Sequence, residues 1–343
     1  MKSLLHRALL ALLALTLWIV AGCGRGTSAE GTSAEGTPAQ STATTTLAWT
    51  PDIGAAQIAI ANDRQLWSAA GVAPQIVPFP SGRAALEALL AGQAEFAVLA
   101  ELPAVIGAMR SQKFVVLAVL SRYKGNRLIA NAGSGKLDVQ WFAGKRIGVT
   151  LGTNNQYMTE LVLERAGIKA ELVNLAPPDM VAALARGDVD AASMFSSYFP
   201  AAQRALNTRY AEFAVPEYET TMVLAVSADV AAQRPEVVRK VLAALLKADE
   251  LIKSDPAAAQ RSMAAAVGGA MTVEHVKAAW PDFRIGMTLD QPLLDLMLQE
   301  GKWIAARGLV KETEPSEDLF RRYLRADFLK PLAADRVTLK SLP

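Results

Sequence analysis

The residue types that most often carry chemistry are scarce here. Among 343 residues there is one cysteine, Cys23, and there are two histidines, His6 and His275. Three such residues spread over the chain provide neither an intrachain disulfide nor a Cys/His metal cluster. His275, in Thr-Val-Glu-His-Val-Lys, falls in a predicted helix far from any strand end. There is no Gly-x-Ser-x-Gly elbow, no Gly-x-x-x-x-Gly-Lys-Ser/Thr loop and no His-Glu-x-x-His pair. Gly133-Ser134-Gly135-Lys136 is too short for a phosphate loop and reads as a flexible connection. Asp188 and Asp190 flank a valine and would share one face of a strand, a pattern easily mistaken for a catalytic pair. We therefore expect a binder rather than an enzyme, with no cofactor and no metal.

The residues that remain are hydrogen-bond donors at the starts of helices. Ser81-Gly82 follows one predicted strand, and Gly152-Thr153-Asn154 follows another. A helix start offers unpaired N–H groups and a partial positive charge, and open α/β sheets bind ligands at this edge. Each charge-assisted hydrogen bond contributes roughly 1.5–3 kcal/mol. Micromolar affinity needs about 8 kcal/mol, so about three to five donors shared by two such edges suffice without arginine. Ser81 also reads simply as a helix cap.

Other candidates sit at the same rim. Trp49 ends the first strand, where an indole either stacks on a ligand or packs in the core. Phe195, Ser196 and Tyr198 follow a later strand at the equivalent position. Asp52 and Glu101 also fall at strand ends. A carboxylate 4 Å from a bound anion repels it by about 1–4 kcal/mol. Either these two turn away, or the ligand brings a positive or donating group.

Strand-like and helix-like segments alternate every 10 to 20 residues from Leu47 onward, the pattern of an α/β fold. Strands are expected at 47–50, 73–79, 95–100, 114–121, 144–150, 171–175 and 189–194. Helices are expected between them at 54–70, 83–91, 103–111, 152–166 and 179–186. Ser81–Gly92 followed by Ala94–Val98 parallels Asp179–Gly187 followed by Val189–Ser193. Two similar lobes in one chain imply a cleft between them. After Val226 the pattern turns helical, with helices expected at 235–254, 256–266, 272–280 and 291–306.

The N-terminus reads as an address. Lys2 and Arg7 precede an apolar run from Ala8 to Val20, about 20 Å long as a helix against a bilayer core of about 30 Å. The run ends in Val20-Ala21-Gly22-Cys23, which resembles the bacterial lipobox, in which the cysteine is lipidated and becomes the first mature residue. Residues 24–46 repeat Gly-Thr-Ser-Ala-Glu without apolar periodicity and read as a flexible leash. Removing Lys2 and Arg7 from 35 basic side chains leaves 33 against 33 acidic ones. A neutral chain without a basic run has no bulk attraction for nucleic acid.

Several stretches together resemble the substrate-binding proteins of bacterial importers for nitrate, sulfonates and taurine. They are Val77–Gly82, Ala88–Gly92, Ala100–Ala104, Gly144–Val149, Gly152-Thr153, Ala182–Ala192, Gly308-Leu309 and Asp327–Leu329. The resemblance covers roughly residues 45–330. It implies an α/β, two-lobed periplasmic-binding-protein-like fold of class II with two chain crossovers and a helical C-terminal layer. In that family Asp188 and Asp190 belong to a structural motif, and the helix-start turns contribute to ligand contact. Crossovers are expected near 132–137 and 222–228. The organisation would then be 1–22 signal peptide, 23–46 lipidated Cys23 and linker, 47–133 plus 226–343 lobe one, and 134–225 lobe two.

The implied function is capture of a small-molecule solute and its delivery to the permease and ATPase subunits of an ABC importer. The protein would be a monomer, anchored by lipid to a bacterial membrane on its extracytoplasmic face. A branch that binds a pyrimidine thiamine precursor is the nearest alternative ligand class, because Trp49-Thr50-Pro51-Asp52 is similar to its start. The histidine expected shortly afterwards is replaced by Ala55-Ala56-Gln57. A ligand-sensing module would share the same cleft.

Overall fold

The computed structural model describes residues 42–133, 135–311 and 313–340. The expected signal segment, Cys23 and most of the expected leash lie outside them.

Parallel pairing builds the first lobe. Strands β1 (Ala43–Trp49), β2 (Val72–Pro78) and β3 (Phe96–Ala100) place β1 between the other two, all parallel. Strand β4 (Phe114–Tyr123) is buried at all ten positions, as an apolar run covered on both faces requires. The chain then enters a second sheet. That sheet comprises β5 (Arg127–Asn131), β6 (Gly135–Lys136), β7 (Arg146–Val149), β8 (Glu171–Asn174), β9 (Ala191–Ser193) and β10 (Tyr210–Ala214). It returns to the first sheet through β11 (Thr220–Ser227), β12 (Phe283–Asp290) and β13 (Val337–Thr338). The orders are β13-β12-β4-β11-β3-β1-β2 and β6-β10-β5-β9-β7-β8. The repeat expected from the sequence is visible in them. In both sheets the lobe's first parallel strand, β1 or β7, sits between its two parallel partners. An antiparallel strand, β11 or β5, flanks the third.

Sheet membership moves the crossovers. Leu128-Ile129-Ala130 already pairs with β9 and β10, and Thr220 already pairs with Tyr123. The chain therefore crosses at 124–126 and 215–219, not near 132–137 and 222–228. The glycines at 133 and 135 had suggested a linker, but they lead into the edge strand β6 of the second sheet. The leash expected to run to Thr46 is also shorter, since β1 begins at Ala43.

Six helices matter for the site: α1 (Ala56–Asp63), α2 (Gly82–Leu90), α3 (Glu101–Met109), α4 (Asn154–Arg165), α5 (Pro235–Ser254) and α6 (Gln291–Ala306). The helix expected over 54–70 is broken at Gln65, which takes φ +54°. Helix α5 buries Val238, Leu242, Leu245 and Ile252, spaced for one helical face, and packs on α1. The C-terminal segment is not purely helical, because it also supplies β12 and β13 to the first sheet.

Helix α2 approaches β3 very closely. A Cβ on Gly82 would stand 2.7 Å from the Leu99 Cα, so only glycine lets the helix start at this depth. Gly82→Ala should lower stability by about 1–3 kcal/mol, read as a lower urea midpoint. An unchanged midpoint would mean that α2 can slide away from the sheet without cost.

Candidate functional site

Two helix starts from opposite lobes converge on one cavity. Gly82 and Arg83 open α2 in lobe one; Thr153, Asn154 and Asn155 open α4 in lobe two; all five line the same space. In α2 the Ser81 hydroxyl accepts from the Ala84 N–H at 3.2 Å. In α4 the Thr153 side chain makes no cap; its hydroxyl donates to the Thr150 carbonyl at 2.7 Å. The Thr153 carbonyl takes the Gln156 N–H at 2.9 Å, but its side chain covers none of the first N–H groups of α4, an arrangement suited to an anion.

The rest of the lining mixes polar and apolar groups. Asp52, Thr50, Asn126, Ser196 and Thr220 contribute polar atoms, and Tyr123, Met194, Phe195, Met222 and Phe283 contribute apolar surface. The Thr50 hydroxyl is buried with no hydrogen-bond partner among the described residues. The cavity has a volume of about 50 Å³, against roughly 10–15 Å³ for a single water. It admits a few-atom group. A larger groove of about 550 Å³ shares Tyr123 and Ser196 with it and is also lined by Arg127, Phe199, Tyr210, Glu212 and Asp282. There Arg127 lies 5.0 Å over the Phe199 ring and pairs with Glu212 at 3.1 Å.

The lobes touch across the cavity. Ser196 Oγ donates to Asp52 Oδ2 at 2.9 Å, and Arg83 Nη1 donates to the Leu151 carbonyl at 2.8 Å. Asn154 Nδ2 donates to Thr220 Oγ1 at 3.1 Å, which in turn donates to Asn126 Oδ1 at 3.0 Å. Asn126 Nδ2 bonds the Tyr123 and Tyr218 carbonyls, both at 3.1 Å. Asn126 therefore ties the two crossovers to each other and, through Thr220, to α4. The Asp52 carboxyl also accepts from the Gly54 N–H at 2.9 Å. Burial nevertheless pushes its pKa above the ordinary carboxylate range.

Of the residues expected at the site, Asp52, Gly82, Thr153, Asn154, Phe195 and Ser196 line this cavity. Five lie elsewhere. Trp49 is buried beside Pro51, Ile58 and Pro78 in a separate hollow. Ser81 is the buried cap of α2. Gly152 borders a groove of about 230 Å³ on the other side of Arg83. Tyr198 packs on the core of lobe two. Glu101 is fully buried in lobe one. Sequence reasoning missed Asn126, Thr220, Asn155 and Arg83. The last two adjoin residues that were singled out; the first two could be found only once the crossovers were correctly placed.

Comparison with known proteins gives a consistent set of relatives. A family model described as NMT1/THI5 like matches residues 53–259. A protein of Brucella abortus strain 2308, named only as a binding protein, is 25% identical over 215 residues, 59% of this chain and 65% of that protein. The match thus spans a little less than two thirds of that relative's length. The taurine-binding periplasmic protein of Escherichia coli K12 is 26% identical over 220 residues, 62% of this chain and 67% of that one. Among solved structures, the alkanesulfonate-binding protein SsuA from Xanthomonas axonopodis pv. citri, bound to MOPS, has a TM-score of 0.68 at 19% identity. That alignment covers 82% of this chain and 98% of the other. The nitrate-binding protein NrtA from Synechocystis PCC 6803 also has a TM-score of 0.68, at 11% identity, covering 85% and 88%. These structural likenesses bear out the two-lobed periplasmic-binding-protein fold.

Behind the cavity, Glu101 pairs with a second buried acid. Its Oε2 accepts from the Thr221 N–H at 2.7 Å, and its Oε1 accepts from the Tyr218 hydroxyl. Glu300 of α6 is fully buried, and neither of its oxygens has a hydrogen-bond partner of ordinary geometry among the described residues. Burial pushes Glu101 up to about 7. Burial, with Glu101 beside it, pushes Glu300 well above the ordinary value. The folded chain therefore holds these protons more tightly than the unfolded chain. Their contribution is most favourable below about pH 4.5, falls as pH rises toward 7 for Glu101 and further still for Glu300, and then levels off. Glu300→Gln keeps the shape without the ionisation. It should raise the melting temperature at pH 8 by several degrees and leave it nearly unchanged at pH 5. An equal effect at both pH values would show that Glu300 ionisation plays no part.

Proposed function

The chain belongs to the NMT1/THI5-like family, and on that premise we propose that it is the extracytoplasmic solute-binding component of an ABC importer. It captures a small solute between its lobes and presents it to the permease and ATPase subunits, acting as a monomeric binder and not as an enzyme. The observation that carries this reading is the convergence of the α2 and α4 starts, one from each lobe, on a cavity that also holds Asp52. The helix starts favour an anionic head, because their N–H groups and dipoles point at it. A second bare anion beside Asp52 would be repelled, whereas an ammonium or other donor would meet the carboxyl that Ser196 now occupies. Solutes of the nitrate, short sulfonate and taurine type fit this scale, and amino-sulfonates use both ends. Relatives named for taurine, alkanesulfonate and nitrate support the same class.

The pyrimidine alternative gains nothing from the site. Ala55, Ala56 and Gln57 are buried in lobe one, with Gln57 bonded to the Leu120 carbonyl and Asp249. A sensing role has no observation in its favour.

Thermal melts with nitrate, ethanesulfonate and taurine test the proposal, since a ligand of the folded state raises its melting temperature. At least one should shift it, and silence from all three would sink the reading. Asp52→Asn should weaken taurine by roughly tenfold or more, the worth of a charge-assisted hydrogen bond. Ethanesulfonate should bind the variant at least as well as the parent. Equal losses for both solutes would show that Asp52 does not face the donor group.

Location follows from the N-terminus. We infer that Cys23 carries the lipid and that residues beyond it tether the body just off the membrane. Cys23→Ala in the full chain should abolish labelling by a radiolabelled fatty acid and move the protein from the membrane fraction to the soluble one. Unchanged fractionation and labelling would refute the anchor.

A further inference from the structure

The acid pair behind the cavity sits where the two lobes meet. Tyr218, which donates to Glu101, lies in the second crossover. The edge of its ring meets Tyr157 of α4, centroids 5.7 Å apart. Tyr157 belongs to lobe two, is 1% exposed, and meets Trp303 of α6 edge-on at 5.1 Å. Its hydroxyl accepts from Gln299 Nε2 at 2.7 Å, on the residue before Glu300. About two turns beyond Gln299, Arg307, just past the end of α6, holds Glu160 and Glu164 of α4. Lobe two thus closes over the acid pair with an aromatic lid, and a crossover residue holds one of the two carboxyls.

We propose that Glu101 and Glu300 form a proton-binding site that is completed only when α4 docks on α6, so that closure of the lobes takes up a proton from solvent. A carboxyl with both oxygens buried and unpartnered, as in Glu300, is accommodated as the neutral acid. Among the described residues, no lysine, arginine or histidine forms an ion pair with either carboxyl, and both Glu300 oxygens are without a partner. The titratable groups that face it are Tyr218 from the crossover and Tyr157 from α4; at longer range Arg165 of α4 acts on Tyr157, and the carboxylates of Glu160 and Glu164 are taken by Arg307. Opening withdraws Tyr157 and admits water, which lowers the cost of ionising either acid. The raised protonation of Glu101 and Glu300 in the closed form agrees with this direction. Below neutrality the closed form is favoured; as pH rises, the site empties and the lobes part more easily. Linkage makes the effect reciprocal: a solute that closes the lobes tightens the proton, and the proton tightens the solute.

The closure half of the proposal is independent of any solute. Small-angle X-ray scattering of the ligand-free protein should show a radius of gyration that grows between pH 5 and pH 8. Glu300→Gln should hold it nearly constant across that range. A radius that does not change with pH in the parent, or that changes equally in Glu300→Gln, would overturn the proposal.

The solute half rests on the binding reading above and uses taurine as the probe. Its Kd should weaken by roughly tenfold or more from pH 5 to pH 8, about one decade per unit of pKa difference between open and closed forms. Titration calorimetry at pH 6.5 in two buffers of different ionisation enthalpy should report net proton uptake. The uptake should be lost in Glu300→Gln. Uptake that survives Glu300→Gln would place the proton elsewhere and refute the proposal. Should Glu300→Gln fold poorly, the parent still decides: binding of taurine without any proton uptake contradicts it. Absence of taurine binding altogether would count against the probe, and the scattering result would stand by itself.

Discussion

Two passes of chain join the lobes, and Asn126 holds both passes together, with its backbone carbonyl accepting from the Val215 N–H at 2.8 Å and its side-chain amide reaching both segments. Asn126 donates to the carbonyl of Tyr123, at the end of one outgoing strand, and to that of Tyr218, on the returning segment. Its own oxygen is taken by Thr220, which also accepts from α4. All of these groups are buried, where an unmade hydrogen bond costs more than a made one contributes. The two lobes are thereby registered at one point, and relative motion that keeps these bonds is confined to rotation about it. The facing helix starts, the Asp52–Ser196 contact and the α4–α6 docking all follow from where that point lies.

Around this junction the chain accepts arrangements that do not favour stability. Asp52 is half-buried at the cavity, Glu101 and Glu300 are buried together, and the Thr50 hydroxyl lacks a partner among the described residues. Elsewhere buried acids are matched. Asp249, held in α5, receives Gln57, the Met287 N–H and Arg336. Asp290 receives Arg122 and caps α6. The acids that lack a cationic partner thus lie near the lobe interface, whereas unpartnered neutral groups, the Trp49 and Trp67 indoles and the Gln57 carbonyl, also occur in the body of lobe one among the described residues.

The division between what was legible and what was not follows the range of the interaction concerned. Three C-terminal helices, Pro235–Ser254, Pro256–Ala266 and Gln291–Ala306, fall at the expected residues. Their start signals are local: a proline in the first turn of each. Buried strands such as Phe96–Ala100 announce themselves as apolar runs. The crossovers did not. Gly133 and Gly135 looked like a linker because glycine permits many conformations, yet the choice between linker and edge strand is made by β10, some 75 residues later. Strand β12, interrupted by Gly286 and carrying Arg284, has little apolar run and exists because β4 pairs with it.

The same distinction governs the site. Sequence alone determined that two α/β lobes would face each other with helix starts at 81–82 and 152–154, because caps, glycine stops and apolar periodicity are properties of neighbouring residues. Only the tertiary structure decided that Ser81 would cap while Gly82 lined the cavity. It also turned Trp49 aside, brought Asn126 and Thr220 to the junction, and paired Glu101 with Glu300 across nearly 200 residues. Side-chain direction and the pairing of distant buried groups depend on how whole sheets and helices pack, and no local pattern encodes that.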